Sequence, residues 1–113
     1  VMVCRENIPA AVDILAPYIV HTPAKDGRNL RPVDAETLYG AFAGNKNIPA
    51  DFSPDDYILE TPLGEGDVDF PAYLDALRNH GLNNVYLTVE REVGDNPKYD
   101  IAKAVQFLNS INT

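Results

Sequence analysis

Apolar residues recur every three or four positions in three stretches of the chain, which is the spacing of one face of an α-helix. The first stretch follows Asn7, a predicted N-cap, and ends before Pro17. The second begins after Asp69 and ends at Gly81, and the third follows Asn96. The three apolar stripes are Ile8, Ala11, Val12, Leu15; Phe70, Tyr73, Leu74, Leu77; and Ile101, Ala104, Val105, Leu108, Ile111.

Two short runs, Tyr18–Thr22 and Val85–Val89, are rich in β-branched and apolar residues. Such runs are typical of strands buried on both faces of a parallel sheet. Their alternation with the helices predicts an α/β fold with parallel strands joined by helical crossovers. Two strands are too few to bury both of their faces and edges, so we expect the core to be incomplete.

The segment between the first strand and the second helix is interrupted by Gly, Pro, Asn and Asp. We predict a long βα loop over residues 27–56, with a short helix near Asp34–Phe42 and an extended segment at Tyr57–Glu60. With 113 residues, the sequence predicts one partial domain, 1–113, that associates with copies of itself or with a missing N-terminal part.

The charge of the chain excludes some classes of partner. Seventeen acidic residues against nine basic ones give a net charge of -8, which argues against nucleic acid and against an anionic membrane surface. A single cysteine excludes an internal disulfide and a cysteine-based zinc site. Because neither a signal peptide nor an apolar run of about 18 residues is visible, we expect a cytoplasmic protein.

The chemically interesting residues follow the two predicted strands. The carboxyl ends of parallel strands form the rim at which α/β proteins bind ligands. A carboxylate and an imidazole on neighbouring strand ends can share a divalent cation or handle a proton together. We therefore expect Glu90 within reach of the His21 strand end. The candidates at the two strand ends are His21, Lys25, Asp26, Glu90, Arg91 and Glu92.

Ordinary structural roles remain open for each of these residues. His21 is equally consistent with a buried, hydrogen-bonded imidazole, and Glu90 with a salt bridge to a nearby Lys or Arg. On physical grounds alone, Lys25 and Glu92 are more consistent with solvated side chains than with a site.

Three segments carry a resemblance to a known family. Residues 17–27, 62–70 and 87–92, with the sequences PYIVHTPAKDG, PLGEGDVDF and LTVERE, resemble the last two strand–helix units of sugar isomerases and epimerases of the xylose-isomerase-like barrel type. The resemblance implies the C-terminal part of a (β/α)8 TIM barrel, with an active site at its C-terminal rim.

The resemblance also implies roles for individual residues. Family members bind a divalent cation (Mn, Mg, Co or Zn), and Glu90 matches the carboxylate that both ligates the metal and moves a substrate proton. His21, Lys25, Asp26 and Arg28 match positions that line the site or contact substrate. The family pattern His-x-His-x-Lys-Asp places a metal-binding histidine where this chain has Pro23, which has no donor atom in its side chain.

The implied function is therefore part of a divalent-metal-dependent sugar or sugar-phosphate isomerase or epimerase, acting by proton transfer next to a carbonyl. We expect the 113-residue chain alone to be inactive. The alternative is a degenerate, non-catalytic barrel that binds a sugar-like ligand or a protein partner, which Pro23 favours. A metal-dependent nuclease on the same barrel is disfavoured by the net charge of -8.

Overall fold

The computed structural model describes residues 2–112. The helices are α1 (Ile8–Leu15), α2 (Ala35–Phe42), α3 (Phe70–Asn79) and α4 (Pro97–Ile111). The strands are β1 (Thr22–Ala24), β2 (Asp26–Asn29), β3 (Ile58–Thr61) and β4 (Leu87–Val89). Two short 3-10 turns occupy Ala16–Tyr18 and Pro54–Asp56. Within residues 2–112, no helix has the length and apolar character needed to cross a bilayer.

Each α-helix begins at a side chain that accepts a backbone N–H of the first turn. This stabilises the helix because the first N–H groups have no partner within it. Gly81 follows α3 with a φ of +73° and donates its N–H to Arg78 O, so glycine's tolerance of the left-handed region ends this helix. The predicted starts and this stop are confirmed. The capping residues are Asn7, Asp34, Asp69 and Asn96.

The two predicted parallel strands are neighbours. β1 pairs with β4 in parallel, from Thr22 opposite Leu87 to Ala24 opposite Val89. The chain between them passes through α3, so the α/β prediction with a helical crossover is confirmed. The α2 helix predicted within the long loop is also present.

The boundaries of both strands differ from the prediction. Tyr18–Thr22 is not a strand: a 3-10 turn ends at Tyr18, and Tyr18 and Val20 are 78% and 95% exposed. The strand instead begins at Thr22 and includes Pro23. Val85–Val89 shortens to Leu87–Val89, and Tyr86 is 89% exposed.

Within the described part of the chain, one face of β1 and β4 is buried and the other is not. Thr22 and Ala24 are buried, whereas Pro23 and its partner Thr88 are exposed. The helices cover one face only. The core under that face is made of Ala24, Leu63, Phe70, Ala104 and Leu108, and a second apolar cluster joins α1 to α3 through Val12, Ala76 and Leu77.

The segment predicted as a long loop, 27–56, begins within a two-stranded β-ribbon. The β2 strand pairs antiparallel with β3, from Asp26 opposite Thr61 to Asn29 opposite Ile58. This ribbon was missed because the four β2 residues, with the sequence DGRN, have neither alternating apolar character nor β-propensity. The ribbon brings Glu60 of β3 into hydrogen bonds with Arg91, Glu92 and Val93, which follow β4.

Candidate functional site

Glu90 lies at the carboxyl end of β4, beside the end of β1. Its backbone N–H donates to Ala24 O at 3.0 Å, and by register Glu90 is level with Lys25. Strand alternation puts its side chain on the exposed face, with Pro23 and Thr88. Among residues 2–112, no hydrogen bond or ion pair reaches the Glu90 carboxylate. The salt bridge considered for it is therefore not formed within this part of the chain.

Lys25 is held between two carboxylates. Its Nζ lies 3.0 Å from Glu60 Oε2 and 3.0 Å from Glu92 Oε1. Partial burial lowers the pKa of Lys25, but hydrogen bonds to Glu60 and Glu92 outweigh it, and the pKa is raised. The ammonium is therefore charged, fixed in position and only 35% exposed, rather than solvated.

Arg91 completes a group that we call the rim charge cluster: Lys25, Glu60, Arg91, Glu92 and Asp100. The Arg91 guanidinium donates to Glu60 Oε1 at 3.1 Å and to Asp100 Oδ2 at 2.8 Å, and its side chain is 9% exposed. Burial lowers the pKa of Arg91, but the hydrogen bonds to Asp100 and Glu60 outweigh this effect, and the pKa is raised. The cluster ties the end of β3 to the end of β4 and to the start of α4.

Glu60 is the centre of this cluster. Its Oε1 also accepts the backbone N–H groups of Glu92 and Val93 at 2.8 and 3.2 Å. Burial raises the pKa of Glu60, but the bonds from Lys25 and from these N–H groups outweigh that effect, and the pKa is lowered. Sequence reasoning missed Glu60 as a functional candidate because its partners are about 30 residues away and no local motif marks it.

His21 does not lie beside Glu90. It precedes β1, and its register position is level with Tyr86, four residues before Glu90. At about 3.3 Å per residue, the two positions are separated by roughly 13 Å along the strands. The expectation that both share one strand end is wrong, because the strand starts after His21 instead of ending there. Within the described part of the chain, His21 is exposed.

Asp26 is 3% exposed and organises a loop. Its two carboxylate oxygens accept four backbone N–H groups at 2.8–3.1 Å, from Gly27, Gly64, Gly66 and Val68. Gly66 lies so close that a Cβ there would overlap Asp26 Oδ1. The contact of Asp26 with substrate that the resemblance implies stays a prediction. In this structure, the Asp26 carboxylate is hydrogen-bonded to backbone N–H groups of the loop.

Arg28 contributes to the same loop. Its Nε and Nη2 donate to Glu65 O at 3.1 and 3.0 Å from an exposed position. The loop is also fixed by Asp67, whose N–H donates to Gly27 O and whose Oδ2 accepts the N–H of Asn29. Arg28 therefore keeps other N–H donors for a ligand, and its contact with substrate stays a prediction.

A solved structure shares this arrangement of helices and strands. The crystal structure of a xylose isomerase domain protein from Planctomyces limnophilus aligns with 97% of this chain and 31% of its own, with a TM-score of 0.60 and 24% sequence identity. The chain has the fold of part of a TIM barrel. No protein-family model matches it, and no curated protein is significantly similar.

The chain spans about a third of the length of that matched barrel protein. The likeness establishes the fold, and it identifies the exposed face of β1 and β4 as the one turned towards the barrel interior, where side chains of the strands pack together. Pro23, Lys25, Thr88 and Glu90 lie on this face.

The residues of this chain do not form a cation site by themselves. Within residues 2–112, no three His, Cys, Asp or Glu side chains converge as a metal would require. Glu90 offers one carboxylate, and Pro23 offers no donor at the position of the expected histidine. The other carboxylates near Glu90 are engaged by Lys25 and Arg91.

Proposed function

We propose that this chain is the part of a sugar isomerase or epimerase that supplies its proton-transferring carboxylate, Glu90. One observation carries the proposal: Glu90 is the only carboxylate at the described end of β1 and β4 that has no partner within residues 2–112. The neighbouring Glu60, Glu92 and Asp100 all bind Lys25 or Arg91. A base must be free to accept a proton, and Glu90 meets that condition.

The proposed chemistry is proton transfer next to a carbonyl. The Glu90 carboxylate removes the proton from the carbon beside the substrate carbonyl, the C–H electron pair forms a C=C bond, and the C=O π electron pair moves onto the carbonyl oxygen to give an enediolate. An isomerisation is complete when the carbon-bound proton returns to the former carbonyl carbon and the hydroxyl proton moves from the hydroxyl oxygen to the former carbonyl oxygen, so that the carbonyl forms at the other carbon. Return of a proton to the opposite face of the carbon that lost it, by a second acid outside residues 2–112, completes an epimerisation.

The charges at the site favour a neutral sugar over a sugar phosphate. Two cations, Lys25 and Arg91, face four carboxylates, and Lys25 is already shared by Glu60 and Glu92. A phosphate would have to displace carboxylates from Lys25 and approach Glu90, which like charges oppose. Sugar hydroxyls can instead accept from Lys25 without adding charge.

A divalent cation enters the proposal only through Glu90, which would be one of its ligands together with groups outside residues 2–112. The residues of this chain do not complete such a site by themselves. The same residues also fit the alternative of a non-catalytic barrel, so the test has to separate the two.

The test is exchange of substrate C–H for deuterium in D2O, followed by NMR, with the whole protein and a panel of free aldoses and ketoses and their phosphates. We expect exchange next to the carbonyl of at least one free sugar, and weaker exchange with its phosphate. Absence of exchange with every sugar, with and without added Mn, Mg, Co or Zn, would contradict the proposal and support the non-catalytic barrel.

A further inference from the structure

Lys25 and Glu90 are cross-strand neighbours of opposite charge, yet they do not pair with each other. The register of β1 and β4 puts them level with each other on the same face of the two strands. Neighbouring strands lie about 4.8 Å apart, a distance that a lysine side chain can bridge, and opposite charges at such positions ordinarily attract. Within residues 2–112, however, the Lys25 ammonium binds two other carboxylates, and no ion pair reaches the Glu90 carboxylate.

The two partners of Lys25 differ in how firmly they are held. Glu60 Oε2 and Glu92 Oε1 each lie 3.0 Å from the Lys25 Nζ. The Glu92 side chain is 71% exposed, so water screens its attraction for the ammonium. The Glu60 side chain is 12% exposed, and its other oxygen accepts from Arg91 and from two backbone N–H groups. Glu60 is therefore the partner that determines where the Lys25 ammonium lies.

Glu60 belongs to the antiparallel ribbon and not to either parallel strand. Without a charge at Glu60, Lys25 would keep only the exposed Glu92 as a partner in this cluster. Glu90, which is level with Lys25 on the neighbouring strand, would then be the carboxylate beside it. An ammonium bonded to Glu90 would occupy the oxygens that must accept the substrate proton.

We infer that Glu60 is a positioning residue, which holds the Lys25 ammonium away from Glu90 and so keeps the Glu90 carboxylate unpaired. The consequence for proton transfer rests on the proposed function, whereas the choice of partner by Lys25 follows from the contacts alone. Loss of the Glu60 charge should transfer Lys25 to Glu90 and slow the reaction. Removing Lys25 as well should then reverse part of the loss, which a purely structural role of Glu60 does not predict.

The experiment compares Glu60→Gln, Lys25→Met and the double variant of the whole protein by exchange of substrate C–H for deuterium. We expect Glu60→Gln to lower the exchange rate by about tenfold, because Lys25 then binds Glu90. Adding Lys25→Met should raise the rate of Glu60→Gln by about fivefold, since it removes the competing ammonium. A double variant that is no faster than Glu60→Gln would overturn the inference, because Lys25 would then not be what slows the reaction.

Crystal structures of the same proteins test the choice of partner without any activity. The Lys25 Nζ should lie on Glu60 in the parent protein, and in Glu60→Gln we expect it within about 4 Å of the Glu90 carboxylate. The matched variant Glu92→Gln, which removes the exposed partner, should leave the Lys25 Nζ on Glu60. If the Lys25 Nζ stays away from Glu90 in Glu60→Gln, the inference is wrong.

Failure of the proposed function would give a different result. No sugar would then exchange in the parent protein, while the crystal structures would still decide which carboxylate Lys25 binds. Should Glu60→Gln not fold, Glu60→Asp takes its place, because it keeps a charge for Arg91 but withdraws that charge from Lys25. The same transfer of Lys25 to Glu90 and the same rescue by Lys25→Met are then expected, and their absence would equally overturn the inference.

Discussion

Glu60 joins Lys25 and Arg91 through its two carboxylate oxygens, at 3.0 and 3.1 Å. These partners come from the ends of two parallel strands, and Glu60 comes from the antiparallel ribbon that folds back over them. The rim charge cluster thus fixes the ammonium of Lys25, the residue level with Glu90 on the neighbouring strand. The Glu90 carboxylate has no partner among the described residues.

Removing the charge of Glu60 should destabilise the chain. Glu60→Gln takes one carboxylate from Arg91, which is 9% exposed, and weakens the bonds from Lys25 and two backbone N–H groups. We expect a loss of about 1.5–3 kcal/mol in the free energy of unfolding, measured with urea. Glu36→Gln on the exposed surface of α2 is the control and should change it by less than about 0.5 kcal/mol. Equal effects of the two substitutions would contradict this role of the cluster.

The same residue predicts how stability depends on pH. Because folding lowers the pKa of Glu60, its contribution is present above the unfolded value of about 4.3 and is lost as the pH falls through the folded pKa. Folding raises the pKa of Lys25, so its contribution to stability is present at neutral pH and is lost at alkaline pH, as the pH rises through the folded pKa. Urea unfolding between pH 3 and 6 should show a shallower acid loss for Glu60→Gln than for the parent chain. If the free energy of unfolding fell equally steeply with pH in both proteins, other carboxylates would be responsible for the loss of stability in acid.

Asp26 should matter more to stability than its neighbour Asp67. Asp26 accepts four backbone N–H groups from a buried position, whereas Asp67 accepts one from an exposed position. We expect Asp26→Asn to cost about 3 kcal/mol and Asp67→Asn about 1 kcal/mol or less, by thermal or urea unfolding. A larger effect at Asp67 would show that the loop is held from its exposed side.

The 113-residue chain alone should not turn over sugars. Within residues 2–112, the rim has one carboxylate without a partner, Glu90, and no group of side chains completes a metal site. A cation held by so few ligands would be weakly bound and mostly hydrated. Sugar turnover by the isolated chain, abolished by Glu90→Gln, would show that the remaining groups are not required.

The helices and the parallel pairing could be predicted because their signals are local. Caps such as Asn7 and Asp69, the apolar stripes and the alternation of elements all lie within short windows of sequence. The start of β1 could not be predicted, since Pro23 argues against a strand and the run before it, through Val20, has high β-propensity. Long-range pairing with β4 decides the register instead.

The candidate site could be predicted only where its signals are local. Glu90 was expected at the end of a parallel strand, and it lies there. His21 was misplaced because the strand boundary was misplaced by about one strand length. The role of Glu60 depends on an antiparallel ribbon whose first strand has no sequence signal. The contacts of Glu60 with Lys25 and Arg91 could therefore not be predicted from the local sequence pattern.

The central claim is that Glu90 moves the substrate proton, and the most direct test is the deuterium exchange rate of the whole protein with and without Glu90→Gln. Gln has nearly the same shape and cannot accept the proton, so we predict a loss of about 100-fold or more in exchange at the carbon beside the carbonyl. Glu36→Gln should retain the parent rate. Exchange by Glu90→Gln at the rate of the parent protein would contradict the account.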